Sequence, residues 1–315
     1  MKHLNLIPVG TTLDFVGKRI IFFVFSTLLV ISSIAFFTTN GLNYGIDFKG
    51  GIMMEVRSNT GPADIGDFRN KLSNLGLGEV SIQEFGEPEE VLIRIQRQDG
   101  DEKAQQRAVA AVKDVLKETV EYRRTEFVGP KVSAELFTDG VLAVTLAIGA
   151  ILIYIWFRFE WQFGMTAVIA LVHDVISTIG IFAVLGMEFN LSTVAAVLTI
   201  AGYSINDTVV VFDRVRENLR KYKKMDLVEL LNMSVNETLS RTVMTSFTTL
   251  IALFALYILG GEVIRGFSFA MIWGIVIGTY SSICLAVPIL TYFNMRRGDN
   301  EEDSEIEKVE GEGAV

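Results

Sequence analysis

The stretch Leu191–Phe212 reads LSTVAAVLTIAGYSINDTVVVF, and it decides the fold. Asp207 is its one charged side chain, and most of the other residues are aliphatic, small or hydroxyl-bearing. An α-helix rises about 1.5 Å per residue, so this stretch is long enough to cross a hydrocarbon core of about 30 Å. It is therefore predicted to be a transmembrane helix.

Five further apolar stretches have comparable length. Half of the 315 residues are hydrophobic and the mean hydropathy is +0.40, which is more apolar than a soluble protein of this length. The first stretch exceeds the apolar core of a typical signal peptide, and no A-x-A site follows it, so it is predicted to remain as an anchor. The sequence thus predicts an all-α bundle of six transmembrane helices, over residues 19–38, 134–157, 165–186, 190–213, 242–260 and 267–294.

Lysine and arginine gather on one side of this bundle, and cytoplasmic loops carry an excess of these residues. The cytoplasmic parts are predicted to be residues 1–18, the loop containing Arg158, and residues 214–241 and 295–315. The short loops on the other side contain only Arg265. Both termini are therefore expected in the cytoplasm, and residues 39–133 outside. Within 214–241, Asp226 and the following leucines predict an amphipathic helix on the membrane surface.

The outer segment, residues 39–133, is long enough to fold by itself. Alternating apolar residues predict strands, and apolar residues at helical spacing predict two helices, in the order β-α-β-β-α-β. This order favours an α+β ferredoxin-like domain between transmembrane helices 1 and 2. The segment contains no Cys or His, so no metal centre is expected there.

Charge and cysteine content exclude other classes of protein. Most of the net charge of −9 comes from residues 299–315, which contain eight acids and one lysine and are predicted to be a disordered cytoplasmic tail. The sequence contains no basic stripe, so nucleic acid is not an expected partner. Cys284 is the single cysteine, which rules out an intramolecular disulfide and favours a small buried hydrophobic residue.

Polar side chains interrupt three of the predicted spans. Ionisable residues within a span cost about 2.5–3.5 kcal/mol each on insertion scales, so they are candidates for function. The candidates are His173 and Asp174 in the third span, Asn206, Asp207 and Thr208 in the fourth, Arg241 at the start of the fifth, and Asp213 at the membrane edge. Ser204 and Asp207 share one helix face by spacing, so a polar cluster between these three spans is expected.

Asp207 and Arg241 have two interpretations. As a structural ion pair, they would neutralise each other and lock two helices together. As a proton relay, the carboxylate would release and regain a proton as the arginine approaches and withdraws. Asp213 and Arg214 are expected to form a solvated pair at the membrane edge. Gly274-x-x-x-Gly278 in the sixth span permits close helix approach, which suits motion and static packing equally.

Five motifs follow one another along the chain. They are Gly45-Ile-Asp-Phe-Lys-Gly-Gly51, Phe157-Arg-Phe-Glu-Trp161, His173-Asp-Val175, Gly202-Tyr-Ser-Ile-Asn-Asp-Thr-Val-Val-Val-Phe-Asp-Arg214 and Ser240-Arg-Thr242. Together they resemble the SecD/SecF family of protein-export membrane proteins, within the resistance-nodulation-division superfamily. The fourth motif resembles the SecF branch in particular, and the resemblance extends over about residues 18–297.

The resemblance implies a non-enzymatic role in protein export at the bacterial inner membrane. Members of the SecF branch pair with SecD and assist the SecY-SecE-SecG channel from the periplasmic side, with YidC as a further partner. They use protons as coupling ions and need no cofactor. Exported unfolded polypeptides and membrane lipid are the other partners implied.

The motifs also imply roles for individual residues. Asp207 is implied to be the proton-coupling carboxylate and Arg241 its partner, with Asp213 as a further member. The possible auxiliary polar residues are His173, Asp174, Asn206 and Thr208. The family motif at the base of the periplasmic domain supplies Gly45, Asp47, Gly50 and Gly51.

Three other functions remain open from the sequence. A half-transporter of the same superfamily would export a small solute, but such proteins carry much larger outer domains. A scaffold would use Asp207 only as a static ion-pair partner. An intramembrane serine protease would need His173 and Ser204, but Ile205 follows the serine where a rhomboid-like site would want glycine.

Overall fold

The computed structural model describes residues 12–78, 80–98, 100, 102–293 and 295. The predicted acidic tail and the first eleven residues therefore lie outside the described part of the chain. Its main elements are α1 (Arg19–Asn40), β1 (Asn43–Tyr44), α2 (Ile46–Lys49), β2 (Gly51–Ser58), α3 (Ile65–Ser73), β3 (Val80–Phe85), β4 (Glu87–Ile95), α4 (Glu102–Leu116), β5 (Val120–Val128), α5 (Pro130–Arg158), α6 (Trp161–Leu185), β6 (Glu188–Phe189), α7 (Leu191–Lys221), α8 (Leu227–Leu259) and α9 (Glu262–Ser281).

Six helices of the described chain are long and apolar enough to cross a membrane, so the protein is a membrane protein. They are α1, α5, α6, α7, α8 and the run Ile264–Tyr292, which contains most of α9. After α9 the helix passes through a π-helical turn, Ser282–Ala286, and then reaches Pro288. α7 and α9 lie at the centre of the bundle, whereas α1, α5 and α8 expose much of their apolar surface.

Residues 214–241 differ from the prediction of a separate surface helix. α7 continues to Lys221, and the residues after Asp226 form the first turns of α8, which runs unbroken to Leu259. The physical reason is local: α8 contains no Gly or Pro that would interrupt it, and the Asp226 carboxylate caps its first turn by accepting from the Val228 and Glu229 N–H groups.

Residues before α1 are fastened to the start of α8. Asn232 Oδ1 accepts hydrogen bonds from the Phe15 and Val16 backbone N–H groups, both at 2.9 Å. Asn236 binds both backbone groups of Leu13. The buried Val16 side chain adds an apolar contact. The start of the first membrane helix is therefore attached to the helix that carries Arg241.

The outer segment contains an antiparallel sheet of four strands, in the spatial order β3-β4-β2-β5. Along the sequence, the elements from β2 to β5 follow in the order β-α-β-β-α-β, and the two helices of this series are α3 and α4. Alternate residues of the strands point to the helices, and they form a core with the apolar faces of those helices. This core includes Ile52, Met54, Phe68, Leu72, Ile93, Val112 and Leu116.

Candidate functional site

Helix α7 presents one polar face to the bundle. Ser204, Asp207 and Thr208 are buried, whereas Asn206 between them is exposed, as expected for a residue about 100° round the helix from its neighbours. The structure therefore brings Asp207 and Thr208 of the predicted cluster into the interior. It leaves Asn206 outside it.

Asp207 is only 6% exposed, and its Oδ2 atom is buried without a hydrogen-bond partner among the described residues. The Arg241 guanidinium and the Thr242 hydroxyl lie near enough to act on it electrostatically. Neither contact has the geometry of an ion pair within 4.0 Å or of a regular hydrogen bond, and Thr242 Oγ1 is likewise buried without a partner among those residues. Arg241 itself is exposed. The arrangement is thus a buried carboxylate beside an arginine that does not neutralise it by direct contact.

Asp174 is the most buried carboxylate of the cluster, with no exposed surface. Its Oδ1 lies 2.9 Å from His173 Nδ1. Its Oδ2 accepts from the Ser204 hydroxyl of α7 at 2.6 Å and from the Ser281 hydroxyl of α9 at 2.7 Å. One carboxylate therefore joins three helices of the bundle centre.

Further hydroxyl pairs continue these connections. Thr208 of α7 and Ser282 lie 2.8 Å apart, and Ser246 of α8 and Thr279 of α9 lie 2.7 Å apart. The helices approach closely enough because α9 is glycine-rich on this side: a Cβ on Gly278 would lie 3.2 Å from Ser204 Cβ. Gly274 and Gly278 are therefore used in close packing of α9 on α7.

Asp213 lies at the end of this face and is not paired with Arg214, contrary to the prediction. Both oxygens of Asp213 accept from Arg158 Nη2 at 2.7 Å, whereas Arg214 binds Glu217 and Glu237. Consecutive residues point in different directions from a helix, so Asp213 and Arg214 face different neighbours. The Asp213 side chain is 44% exposed, so this pair is a solvated bridge between α5 and α7.

The Gly45–Gly51 motif forms the base of the outer domain. Asp47 Oδ2 accepts from the Leu191 backbone N–H at 2.9 Å, at the first residue of α7. Gly50 and Gly51 have φ values of +70° and +124°, and a Cβ on Gly51 would lie 2.7 Å from the Ile95 carbonyl oxygen. The turn into β2 therefore requires glycine on both counts.

The base is also tied to the loop between α6 and α7 without any covalent connection. β1 pairs in parallel with β6, and the Asn43 side chain donates to the Gly186 carbonyl oxygen. Arg94 of β4 forms an ion pair with Glu188 of β6. Burial raises the pKa of Glu188, although Arg94 acts against that rise. The sheet thus has a direct electrostatic contact with the bundle.

Reasoning from the sequence did not select Ser281, Arg94 or Glu188 as functional residues. Ser281 belongs to a run of small polar residues in an otherwise apolar span, Tyr280-Ser-Ser-Ile-Cys284, and that run was its only signal. Arg94 and Glu188 are far apart in the chain, so only the fold brings them together. The described residues contain no group of three His, Cys, Asp or Glu side chains suited to a metal ion.

Comparison with known proteins identifies the class to which this fold and cluster belong. Residues 108–296 match the model of the family "Protein export membrane protein SecD/SecF, C-terminal", and residues 35–61 match the SecD/SecF GG motif. The first match covers more than half of the chain. The chain therefore belongs to the SecD/SecF family of protein-export membrane proteins.

Individual relatives narrow the comparison to one branch. The chain is 47% identical to "Protein translocase subunit SecF" of Cereibacter sphaeroides over 311 residues, covering 96% of each protein. It is 45% identical to the protein of the same name from Rickettsia akari, covering 95% of this chain and 97% of that protein.

Solved structures agree with this placement. The crystal structure of SecDF from Thermus thermophilus, described as a translocon-associated membrane protein, matches 91% of the chain with a TM-score of 0.82 and 35% identity. A SecDF structure in a super-membrane-facing form matches 96% of the chain with a TM-score of 0.65 and 32% identity. The chain spans 39% of the first SecDF chain and 41% of the second.

Proposed function

We propose that this chain is a subunit of the SecD–SecF accessory complex of the Sec translocase, and that it uses the proton motive force to help complete protein translocation. The observation that carries the proposal is Asp207: a buried carboxylate with an unpartnered oxygen among the described residues, on the motif that resembles the SecF branch. A carboxylate that no cation neutralises by contact can exchange a proton more readily than a locked ion pair.

The proposal includes a location and an orientation. The chain lies in the bacterial inner membrane with both termini in the cytoplasm, as the distribution of Lys and Arg between loops supports. Residues 39–133 form a ferredoxin-like periplasmic domain. The β-α-β-β-α-β order and the strand order β3-β4-β2-β5 support that assignment.

The proposal also includes partners and residue roles. SecD supplies the second half of the complex, the SecY-SecE-SecG channel and YidC are neighbours, and exported polypeptide and lipid contact the chain. Asp207 exchanges the coupling proton, Arg241 modulates it, and Asp213 with Arg158 holds the cytoplasmic edge. No cofactor takes part and the chain is not an enzyme. Membership of the family and the buried position of Asp207 support these proposed roles.

Replacing Asp207 by asparagine tests this function. Asp207→Asn keeps the shape of the side chain and removes its titratable proton, so the variant is expected to reach wild-type levels in the membrane but not to restore export in a strain lacking the subunit. Asp114→Asn, at an exposed carboxylate of α4, is the matched control and is expected to restore it. Full restoration by Asp207→Asn would remove the proton-coupling role.

A further inference from the structure

The charge of Asp174 is not balanced by any contact in the described structure. Its single ionic partner within 4.0 Å among those residues is His173, which is itself only 4% exposed. A carboxylate buried in a membrane bundle is costly unless it meets a cation or binds a proton. Since no cation neutralises Asp174 among the described residues, a proton could compensate its charge, either on His173 or on Asp174 itself.

His173 is a poor place for that proton. Its Nδ1 faces Asp174, but Nε2 is buried without a hydrogen-bond partner among the described residues. The neutral ring with hydrogen on Nδ1 can donate to Asp174 and leaves a bare nitrogen in apolar surroundings. An imidazolium would bury an N–H group with no acceptor, which costs more.

Asp174 Oδ2, by contrast, has partners that can rearrange. The Ser281 hydroxyl lies 2.7 Å from Oδ2 and 3.1 Å from the Gly278 carbonyl oxygen, so its one hydrogen has two acceptors within reach. When Oδ2 is ionised, Ser281 donates to it. When Oδ2 carries a proton, that O–H donates to Ser281 Oγ, and the Ser281 hydrogen turns to Gly278. Both charge states are therefore fully hydrogen-bonded at this position.

We infer that Asp174 is a second proton-binding carboxylate of the bundle, supported by His173 on one oxygen and by Ser204 and Ser281 on the other. Binding adds one proton to Oδ2 and changes the charge of the His173–Asp174 unit from −1 to 0; release reverses this. Ser204, which binds Asp174, lies three residues before Asp207 on α7, so the contact point of Asp174 and the Asp207 side chain share one face of that helix about one turn apart. This inference deepens the proposed function and rests on its proton coupling.

The other titratable side chains on the surrounding elements do not replace Asp174 in this role. Away from the helix ends they include Tyr154 on α5, Tyr203 and Asp207 on α7, Tyr280 on α9 and Cys284 in the π-helical turn, and Arg19 lies at the start of α1. The Tyr280 hydroxyl is already bound to Ser26 and to the Phe22 carbonyl oxygen of α1. Asp174 is the one among the described residues that contacts three helices through a carboxylate.

Infrared difference spectroscopy on the full-length chain in lipid bilayers tests the inference without requiring export activity. Spectra at acidic minus neutral pH are expected to contain a protonated-carboxyl band that Asp174→Asn removes and Asp207→Asn retains. Ser281→Ala is expected to shift the frequency of that band, because it removes a hydrogen-bond partner of the protonated group. Ser234→Ala, at a buried serine of α8, is the matched control and leaves the band in place.

Two results would overturn the inference. One is an Asp174→Asn difference spectrum identical to that of the wild type. The other is an imidazolium signal that His173→Gln removes, since the proton would then sit on the ring. If Asp174→Asn does not fold, an unshifted band in Ser281→Ala overturns the assignment equally. A failure of the proposed function gives a different result. In that case Asp207→Asn would restore export, while the infrared band of Asp174 would remain unchanged.

Discussion

Asp47 and Leu191 are joined by a 2.9 Å hydrogen bond from the Leu191 backbone N–H to the Asp47 carboxylate, across 144 residues of sequence. Asn190 accepts from the Thr193 N–H in the same turn. The first turn of α7 therefore receives two side-chain acceptors, one from its own cap residue and one from the base of the outer domain. The glycine-containing motif after α1 thereby fixes the outer end of the helix that carries Asp207.

Removing this acceptor is expected to loosen that end of α7. Asp47→Ala should lower the stability of the solubilised protein by about 1 kcal/mol, as for loss of a helix cap, and speed hydrogen exchange at Leu191. Asp47→Asn keeps an acceptor oxygen and is expected to cost less. Asp67→Ala, at an exposed carboxylate of α3, serves as a control, and equal exchange at Leu191 in all three variants would contradict the capping role.

The Arg94–Glu188 contact is expected to depend on pH. Burial raises the pKa of Glu188 above its ordinary value of 4.5, Arg94 opposes the rise and Asp47 adds to it. The folded protein then holds the Glu188 proton more tightly than the unfolded chain. The stability from this group is complete below the unfolded pKa and is lost as pH rises through the folded pKa.

Glu188→Gln tests that sign. The amide can still accept from Arg94 but cannot ionise, so unfolding midpoints of the variant are expected to fall less steeply than those of the wild type as pH rises from about 4.5. Glu84→Gln, at an exposed position of β3, should keep the wild-type slope. A steeper slope in Glu188→Gln than in the wild type would mean that the ion pair with Arg94 outweighs burial.

The elements of the fold follow from local signals, and the contacts between them do not. Apolar runs indicate the six long helices, and period-two alternation indicates the strands, because both patterns are set by neighbouring residues. The pairing of β1 with β6 joins residues far apart in the chain, in two strands of two residues each, which carry no detectable pattern. Sequence patterns also did not predict that α8 continues unbroken through Arg241, because a polar stretch at a predicted membrane edge resembles a loop.

In the polar cluster, too, the sequence identifies some residues and not the contacts between them. Asp207 and Asp174 stand out in the sequence because charge within a span is rare. Their partners are hydroxyls such as Ser204 and Ser281, which are common in membrane helices and carry no signal individually. Which hydroxyl meets which carboxylate depends on helix rotation and distance, and therefore on packing across α6, α7 and α9.

A double-mutant cycle can measure whether Asp207 and Arg241 act together. Arg241→Ala is expected to impair export, because Asp207 loses its nearby positive charge. In Asp207→Asn/Arg241→Ala the second change should add little to the first, giving a coupling that separate sites do not show. Arg220→Ala, at an exposed arginine of α7, provides the control. Strictly additive effects of the two changes on the rate of export would show that they are not partners.

The contact between α1 and α6 depends on Gly180. A Cβ at this position would lie 2.2 Å from Ser33 Cβ and 2.7 Å from Ser33 Cα, so the first membrane helix would have to move away. Gly180→Ala is expected to destabilise the protein by about 1–3 kcal/mol, as for overpacking of a core. Gly202→Ala is the matched control, because its Cβ would meet no atom within 4 Å and alanine favours the helix.

Ser33→Gly should rescue Gly180→Ala only in part, since it removes the Ser33 side chain but leaves the close Cα in place. The measurement is the midpoint of thermal unfolding in detergent. The midpoint of Gly202→Ala is expected at or above that of the wild type, and that of Gly180→Ala is expected to be the lowest. The double variant Ser33→Gly/Gly180→Ala is expected to lie between them. α1 connects directly to the base of the outer domain, so Gly180→Ala is also expected to slow export even where the protein folds. Equal midpoints for Gly180→Ala and Gly202→Ala would show that α1 packs on α6 loosely enough to accept a methyl group, and that this contact does not set the position of the domain.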